Sequence, residues 1–287
     1  MKLYKTTITP TSNFITPIKG DTLFGQICWA IKFSFGEDRL KELLKSYDET
    51  PFLVVSDAFV AGYLPKPTMP SIYLKEDLTN KKENRKKIWL TLEQLKNGEF
   101  NKALEFKNIV SSEIVVKTSI NYKTAATGNG FDPHSQKELS ISNQDLYFLI
   151  NSDFDLNDLK KSLKLVNNIG FGKKSTTGKG RFEFDKFEEI TIEDNSSTYM
   201  ALSPFSLDDF TCKDVFYEPF TRFGKTGASR ANTNAFKKPI LLADSGTVVV
   251  FEEKKKLNYI GKAIKNISTY KDIVHQGYSI VVPIKDI

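Results

Sequence analysis

Residues 170–180 read GFGKKSTTGKG, four glycines, three lysines and three hydroxyl side chains in eleven positions. Such a string suits an anion, and two nucleotide loops come close to it. A Walker loop has four residues between its first glycine and Gly-Lys-Ser/Thr. Here five separate Gly172 from Gly178, and Gly180 stands where the magnesium-binding hydroxyl would be. The dinucleotide fingerprint accepts Gly170 and Gly172, but its third glycine falls on Ser175. The flanks decide the matter. Before the loop, Leu156, Leu159, Leu163 and Val166 share one helical face over residues 155–168, with Asp155 as N-cap and Gly170 as terminator. After it, RFEFDKFEEITI alternates as a strand, with Phe182 and Phe184 on one side. The loop therefore joins a helix to a following strand. Both nucleotide loops run from strand to helix, so the order excludes them and leaves an α+β chain.

Working outward, residues 2–9 alternate as a first strand rather than as a signal peptide. GDTLFGQICWAIKFSFG predicts a helix with Leu23, Ile27, Ala30 or Ile31 and Ser34 on one face, capped by Asp21 or Thr22 and ended by Gly36. A lysine-rich helical segment is expected over residues 80–105. NIVSSEIVVKTSINY and KELSISNQDLYFLI predict two long strands of a hairpin, and KTAATGNGFDPHSQ between them is too polar and glycine-rich to pack. SGTVVVFE and YSIVVPI are late strands. Two β-rich halves, each with strand–helix–strand elements, suggest a duplicated split-βαβ, ferredoxin-like arrangement.

The 287 residues suffice for one large domain or two modest ones, and no apolar run approaches the length of a membrane span. Cys28 and Cys212 are far apart and fit a reducing, cytoplasmic setting. The net charge of +6 is concentrated: residues 169–182 hold four basic side chains and no acid, and residues 219–243 hold five and no acid. Segregated positive charge of this kind is the footprint of phosphate contacts.

Taken together, GDTLFGQICWAI, VSDAFVAGYLPKP, GFGKKSTTGKGRFEF, RFGK, KKPILLADSGTVVVF and HQGYSIVVPI resemble, in order and spacing, the RAMP superfamily of CRISPR effector proteins. The likeness is greatest to the type III-A (Csm) subunit that caps the 5′ end of the guide RNA. The resemblance runs nearly end to end. It implies two ferredoxin-like, RRM-related domains, set at residues 1–194 and 195–287, and a protruding thumb hairpin within the insertion of about 75–150. It also implies a non-catalytic role in antiviral defence: binding the 5′ handle of the guide RNA between the large palm-domain subunit and the repeated backbone subunit. One departure stands out. Where many relatives carry Asn-Arg-x-Thr-Gly, this chain reads NYKTAATGNG, so Tyr122 replaces the arginine and Lys123 is the neighbouring cation.

The expected RNA contacts follow. Gly172, Gly178 and Gly180 let backbone amides approach a phosphate, Lys173, Lys174, Lys179 and Arg181 add charge, and Ser175, Thr176 and Thr177 donate to phosphate or 2′-hydroxyl oxygens. Lys19 and Gly20 precede a helix whose free amides favour anions, whereas Asp21 fits capping better. Arg222, Lys225 and Arg230 supply cations around Phe223, which suits either base stacking or the core. Phe131 and Pro133, apolar in a polar tip, are either a thumb wedge against a guide–target duplex or ordinary loop residues. No cofactor or metal is expected, because neither His134 nor His275 has a ligand at metal-binding spacing. "SLDDF" is read as a helix cap through Asp208 or Asp209. The alternative is a metal-independent endoribonuclease that processes guide-RNA precursors, with His134 as general acid or base and Lys123 stabilising charge.

Overall fold

The computed structural model describes all residues except 107–109, 128–129, 131, 193–194, 209–210 and 228–234. Strand β1 (Lys2–Pro10) buries Tyr4, Thr6 and Ile8 in alternation. Helix α1 (Gly20–Phe35) buries Leu23, Phe24, Ile27, Ala30 and Ile31, as its 3.6-residue period requires; Ser34, expected on that face, is exposed at the helix end. Gly36, at φ +95°, turns the chain directly into α2 (Glu37–Lys45), and β2 (Leu53–Val55) follows.

The single lysine-rich helix expected over 80–105 is broken into pieces. Helical turns cover Ser71–Leu74, Lys81–Asn84 and Leu92–Asn97, and Trp89–Leu90 pairs with Leu64–Pro65 between them. Leu90, Leu95 and Phe100 are buried, and Gly98 at φ +71° ends the last turn. Burying these three together takes a strand and a turn, not one continuous stripe. The hairpin strands are β3 (Val110–Lys117) and β4 (His134–Ile141), in register from Val110↔Ile141 to Lys117↔His134. The long strand read from KELSISNQDLYFLI is two strands: after Ser142 and Asn143, β5 (Gln144–Ile150) leaves the hairpin and enters the main sheet. All of β5 except Tyr147 is buried, which is the pattern of a strand covered on both faces.

Helix α3 (Leu156–Ile169) begins at Asp155, whose carboxylate accepts from the Asp158 amide at 2.8 Å, and stops at Gly170. Strands β6 (Phe182–Phe184) and β7 (Glu188–Ile190) complete an antiparallel sheet of order β7–β1–β5–β2, with β6 beside the end of β1. Helix α1 packs on α3 and on β2. In the second half, β8 (Ser196–Ala201), β9 (Asp214–Phe216), β10 (Pro219–Arg222), β11 (Ile240–Ala243), β12 (Val248–Lys255), β13 (Tyr259–Gly261) and β14 (Tyr278–Pro283) build another antiparallel sheet, β9–β12–β8–β14–β13, and a separate β10–β11 pair. Among the described residues no α-helix follows Ile169, so they do not supply the helix of the strand–helix–strand unit expected in this half. Asp208 accepts the Ser206 hydroxyl at 2.9 Å, and no helix starts from it among the described residues; Asp209 lies outside them.

Alternation along β12 explains how the halves meet. Val248 and Val250 join a core that also holds Leu23, Phe24, Phe52 and Leu149, whereas Val249 and Phe251 face a smaller core with Tyr199 and Phe205. At the buried edge strand β2 of the first sheet, the Gln276 side chain donates to the Val55 carbonyl at 2.8 Å and accepts from the Val55 amide at 2.9 Å. The Tyr47 hydroxyl donates to the Leu53 carbonyl.

Candidate nucleic-acid interface

The glycine-rich loop leaves α3 and returns to β6 in a closed ring. The Phe171 amide donates to Gly180, the Gly180 amide to Asn13, the Gly178 amide to Ser175 and the Thr177 amide to Lys174. Three glycines are required by contact: a β-carbon at Gly180 (φ +73°) would lie 2.0 Å from the Phe171 carbonyl oxygen, one at Gly170 (φ +95°) 2.4 Å from the Lys179 carbonyl oxygen, and one at Gly172 (φ +76°) 2.3 Å from Thr16 Oγ1. These bonds correct part of the sequence expectation, because the Gly178 and Gly180 amides are already used within the protein. The Gly172, Lys173 and Lys174 amides have no acceptor among the described residues. Backbone φ is positive at Gly172 and Lys174 and not at Lys173, and alternation of this kind turns successive amides into one concavity for an anion. Beneath it, Thr16 Oγ1 is buried with no hydrogen-bond partner.

The predicted cations divide into two sets. Lys173, Lys174 and Arg181 are exposed, as are Thr176 and Thr177, with Ser175 half-buried. Lys179 is tied down: its Nζ donates to Glu138 on β4, which also binds Lys117 at 2.7 Å and the Asn13 amide nitrogen at 3.0 Å. Those hydrogen bonds, from Lys117 first and then Lys179 and Asn13, hold the Glu138 carboxyl down at about 2. Glu138 is 1% exposed, and a buried carboxylate of this kind needs its partners. Lys179 therefore fastens the loop to the hairpin.

Lys19 and Gly20 are likewise engaged. Lys19 Nζ sits 2.8 Å from Asp57 and 2.7 Å from Asp244, and the Gly20 amide donates to Asp57 at 2.8 Å. Burial lowers the Lys19 pKa, but Asp57 and Asp244 more than reverse this. The anion that this helix start favours is the protein's own Asp57. Arg222 is also committed, gripping Asp21 through Nε at 2.6 Å and Nη2 at 2.7 Å. His275, for which the sequence offers no partner, is buried with Nε2 3.2 Å from Asp21. Burial pushes the Asp21 carboxyl up, yet His275 and Arg222 together hold it well below the usual carboxylate range. Asp21 is thus a buried counter-ion more than a helix cap, although the Thr22 amide does donate to it.

The second basic stretch presents Phe223, 75% exposed, and Lys225, whose Nζ lies 4.3 Å from the Phe236 ring centroid. Phe223 is therefore not a core residue. Arg230 and Phe131 lie outside the described residues; Pro133 and His134 are exposed near the hairpin tip, and Lys123 sits 5.9 Å from the Tyr122 ring. Among the described residues no three His, Cys, Asp or Glu side chains converge as metal ligands, and no helix is long and apolar enough to cross a membrane.

The glycine loop thus joins a helix to a strand in an antiparallel α+β frame, with the amides of Gly172, Lys173 and Lys174 left without an acceptor among the described residues. Residues 7–183 match the model of the RAMP superfamily, and the chain belongs to that family. By structure it is similar over 100% of its length to 99% of a chain in the Csm1–Csm4 cassette in complex with AMPPNP (17% identity, TM-score 0.63). Similar values hold for a chain in the Csm3–Csm4 subcomplex of the type III-A CRISPR-Cas interference complex (16% identity, TM-score 0.62, 99% and 100% covered). No curated protein matches by sequence.

Proposed function

We propose that this chain is a non-catalytic, RNA-binding subunit of a type III-A CRISPR effector complex. It holds the 5′ handle of the guide RNA and bridges the large palm-domain subunit to the backbone subunits. The observation that carries this reading is the glycine loop: three free amides, a buried unpaired Thr16 hydroxyl and exposed Lys173, Lys174 and Arg181, with no carboxylate within residues 170–180. A phosphodiester supplies the acceptors this concavity lacks. The likeness to chains in two Csm assemblies supports the choice of complex and of protein neighbours.

The order β1–α1–β2–β5–α3–β6/β7, with β1 and β2 flanking β5, supports a ferredoxin-like domain over residues 1–194. Residues 195–287 form the second domain in this reading, and the β3–β4 hairpin is the thumb, with the Phe131 and Pro133 segment as its wedge against a guide–target duplex. Phe223 serves as a stacking surface beside Lys225.

Changing Lys173 and Lys174 together to Ala tests the site. Removing two phosphate-binding cations shrinks the slope of log affinity against log salt by about 1.4, at roughly 0.7 per single-strand phosphate. An unchanged slope in a folded variant refutes the assignment. Incubation with repeat RNA, with and without magnesium or manganese, is expected to leave the RNA intact. Cleavage abolished by His134→Ala and retained in chelator establishes the endoribonuclease instead.

A further inference from the structure

On the far side of α1 from the core, a groove of about 600 Å³ runs between α1, α2, Thr226 and residues 265–274. Its floor is apolar: Trp29 from α1, Leu40 and Leu44 from α2, and Ile273 and Val274 from the opposite wall. Cys28 also lines it, but burial pushes that thiol up to about 12, so it offers no thiolate for covalent or metal chemistry. Phe33, 58% exposed and stacked on Trp29 at 5.8 Å, continues the apolar stripe beyond the groove.

Gly25 is the second observation. It sits in the middle of α1 with ordinary helical backbone, where glycine costs about 1 kcal/mol relative to alanine. A β-carbon there would meet nothing within 4 Å. No turn, close approach or strained angle requires this glycine in the free chain. What it does is leave a hole in the groove wall, one turn before Trp29, into which a partner side chain or backbone fits.

Charge selects the occupant. Among the described residues, five lysines and three carboxylates line the groove, an excess of two positive charges. Glu37 is bound by Lys32 at 2.6 Å and Lys41 at 3.1 Å, Glu42 by Arg39 at 2.7 Å, and Lys265 by Asp48. Lys45 at the end of α2 and Lys271 on the opposite wall have no carboxylate partner among the described residues. A hydrophobic floor with an uncommitted cation on each bank matches a helix with an apolar stripe flanked by carboxylates. Nucleic acid would bring phosphates to the banks but leave the apolar floor unfilled.

We propose that this groove seats an acidic amphipathic helix of a neighbouring protein subunit. The proposal rests on the reading of the chain as part of an effector complex. The test is photo-crosslinking in the assembled complex, co-expressed with the palm-domain and backbone subunits and guide RNA. A benzophenone side chain replaces Lys45 in one preparation and Lys173 in another. The Lys45 position is expected to capture one protein segment with Asp or Glu flanking apolar residues at three- and four-residue spacing. Gly25→Leu, whose β-carbon meets nothing within 4 Å in the free chain, lowers that yield at least ten-fold and leaves capture of RNA from position 173 unchanged. Lys45→Gln with Lys271→Glu, assayed by pull-down of the same subunit, lowers affinity to a similar degree and more at low salt than at high salt. Capture of RNA, of a second copy, of the chain's own residues or of a lipid overturns the proposal, as does an intact complex with no adduct at position 45. If no complex with guide RNA assembles, the underlying functional reading fails first, and this inference falls with it.

Discussion

Replacing Arg222 with Ala strands a carboxylate that water cannot reach. The Asp21 side chain is 0% exposed and Arg222 supplies two of its hydrogen bonds, at 2.6 and 2.7 Å; the Thr22 amide at 2.8 Å and His275 Nε2 at 3.2 Å are left as partial compensation. Removing one partner of a buried ion pair costs about 3–5 kcal/mol, and the remaining imidazole sets the expectation near the middle, about 4 kcal/mol. The unfolding entropy of a chain this long is on the order of 0.6 kcal/mol/K, so Tm falls by about 7 °C. The sign with pH is fixed. Asp21 sits below its ordinary value in the native protein, so it contributes stability above the unfolded carboxylate pKa that is lost as pH falls. In the variant the desolvated carboxyl takes up a proton more readily, so the gap between variant and parent narrows from pH 7 toward pH 4. Thermal and urea unfolding at both pH values measure this. Asp21→Asn combined with Arg222→Met is expected to lose less than the two single changes together. An Arg222→Ala protein within 0.5 kcal/mol of the parent at pH 7, or strict additivity in the double variant, refutes the argument.

Gly180→Ala combines a left-handed backbone with a 2.0 Å approach to the Phe171 carbonyl, so calorimetry is expected to show a loss beyond the ~1–2 kcal/mol of the dihedral alone. Gly178→Ala, at φ +82° in open space, stays within that range. Glu138→Gln removes a carboxyl held at about 2 against an ordinary 4.5; the parent loses stability as pH falls from about 4.5 toward 2, and the variant's urea midpoint is flatter across that window. Lys179→Ala is expected to lower Tm and leave the salt slope of RNA binding unchanged, the reverse of Lys173→Ala with Lys174→Ala.

The features legible in the sequence were those with local causes. The Asp155 cap, the apolar stripe of α3 and the stop at Gly170 lie within one window, and they settled the helix-to-strand order of the glycine loop. The split of KELSISNQDLYFLI at Ser142 was hidden because alternation continues through it; only the covering of β5 on both faces separates the strands. Charge was misjudged for the same reason. An acid-free run in sequence is not acid-free in space: Glu138 reaches Lys179 across 41 positions and Asp21 reaches Arg222 across 201. The cations left exposed among the described residues of these runs, Lys173, Lys174, Arg181, Lys225 and Lys238, are those that no distant strand or helix supplied with a carboxylate. Thr16 gave no sequence signal, since its part at the site depends on passing beneath Gly172.

The bonds from Gln276 and Tyr47 to β2 bear on how the protein behaves at high concentration. Residues Leu53, Val54 and Val55 are entirely apolar and form the rim of a sheet, the kind of strand that recruits another chain and seeds aggregates. Here the outward groups of Val55 and the Leu53 carbonyl are occupied by an amide and a phenol from elsewhere in the fold. The side-chain amide of Gln276 stands in for one residue of an additional strand and ends the ladder there. Losing it would leave the Val55 amide and carbonyl unpaired inside a fully buried strand, so stability falls first, and edge-to-edge pairing at β2 is open only to molecules that have locally unfolded there.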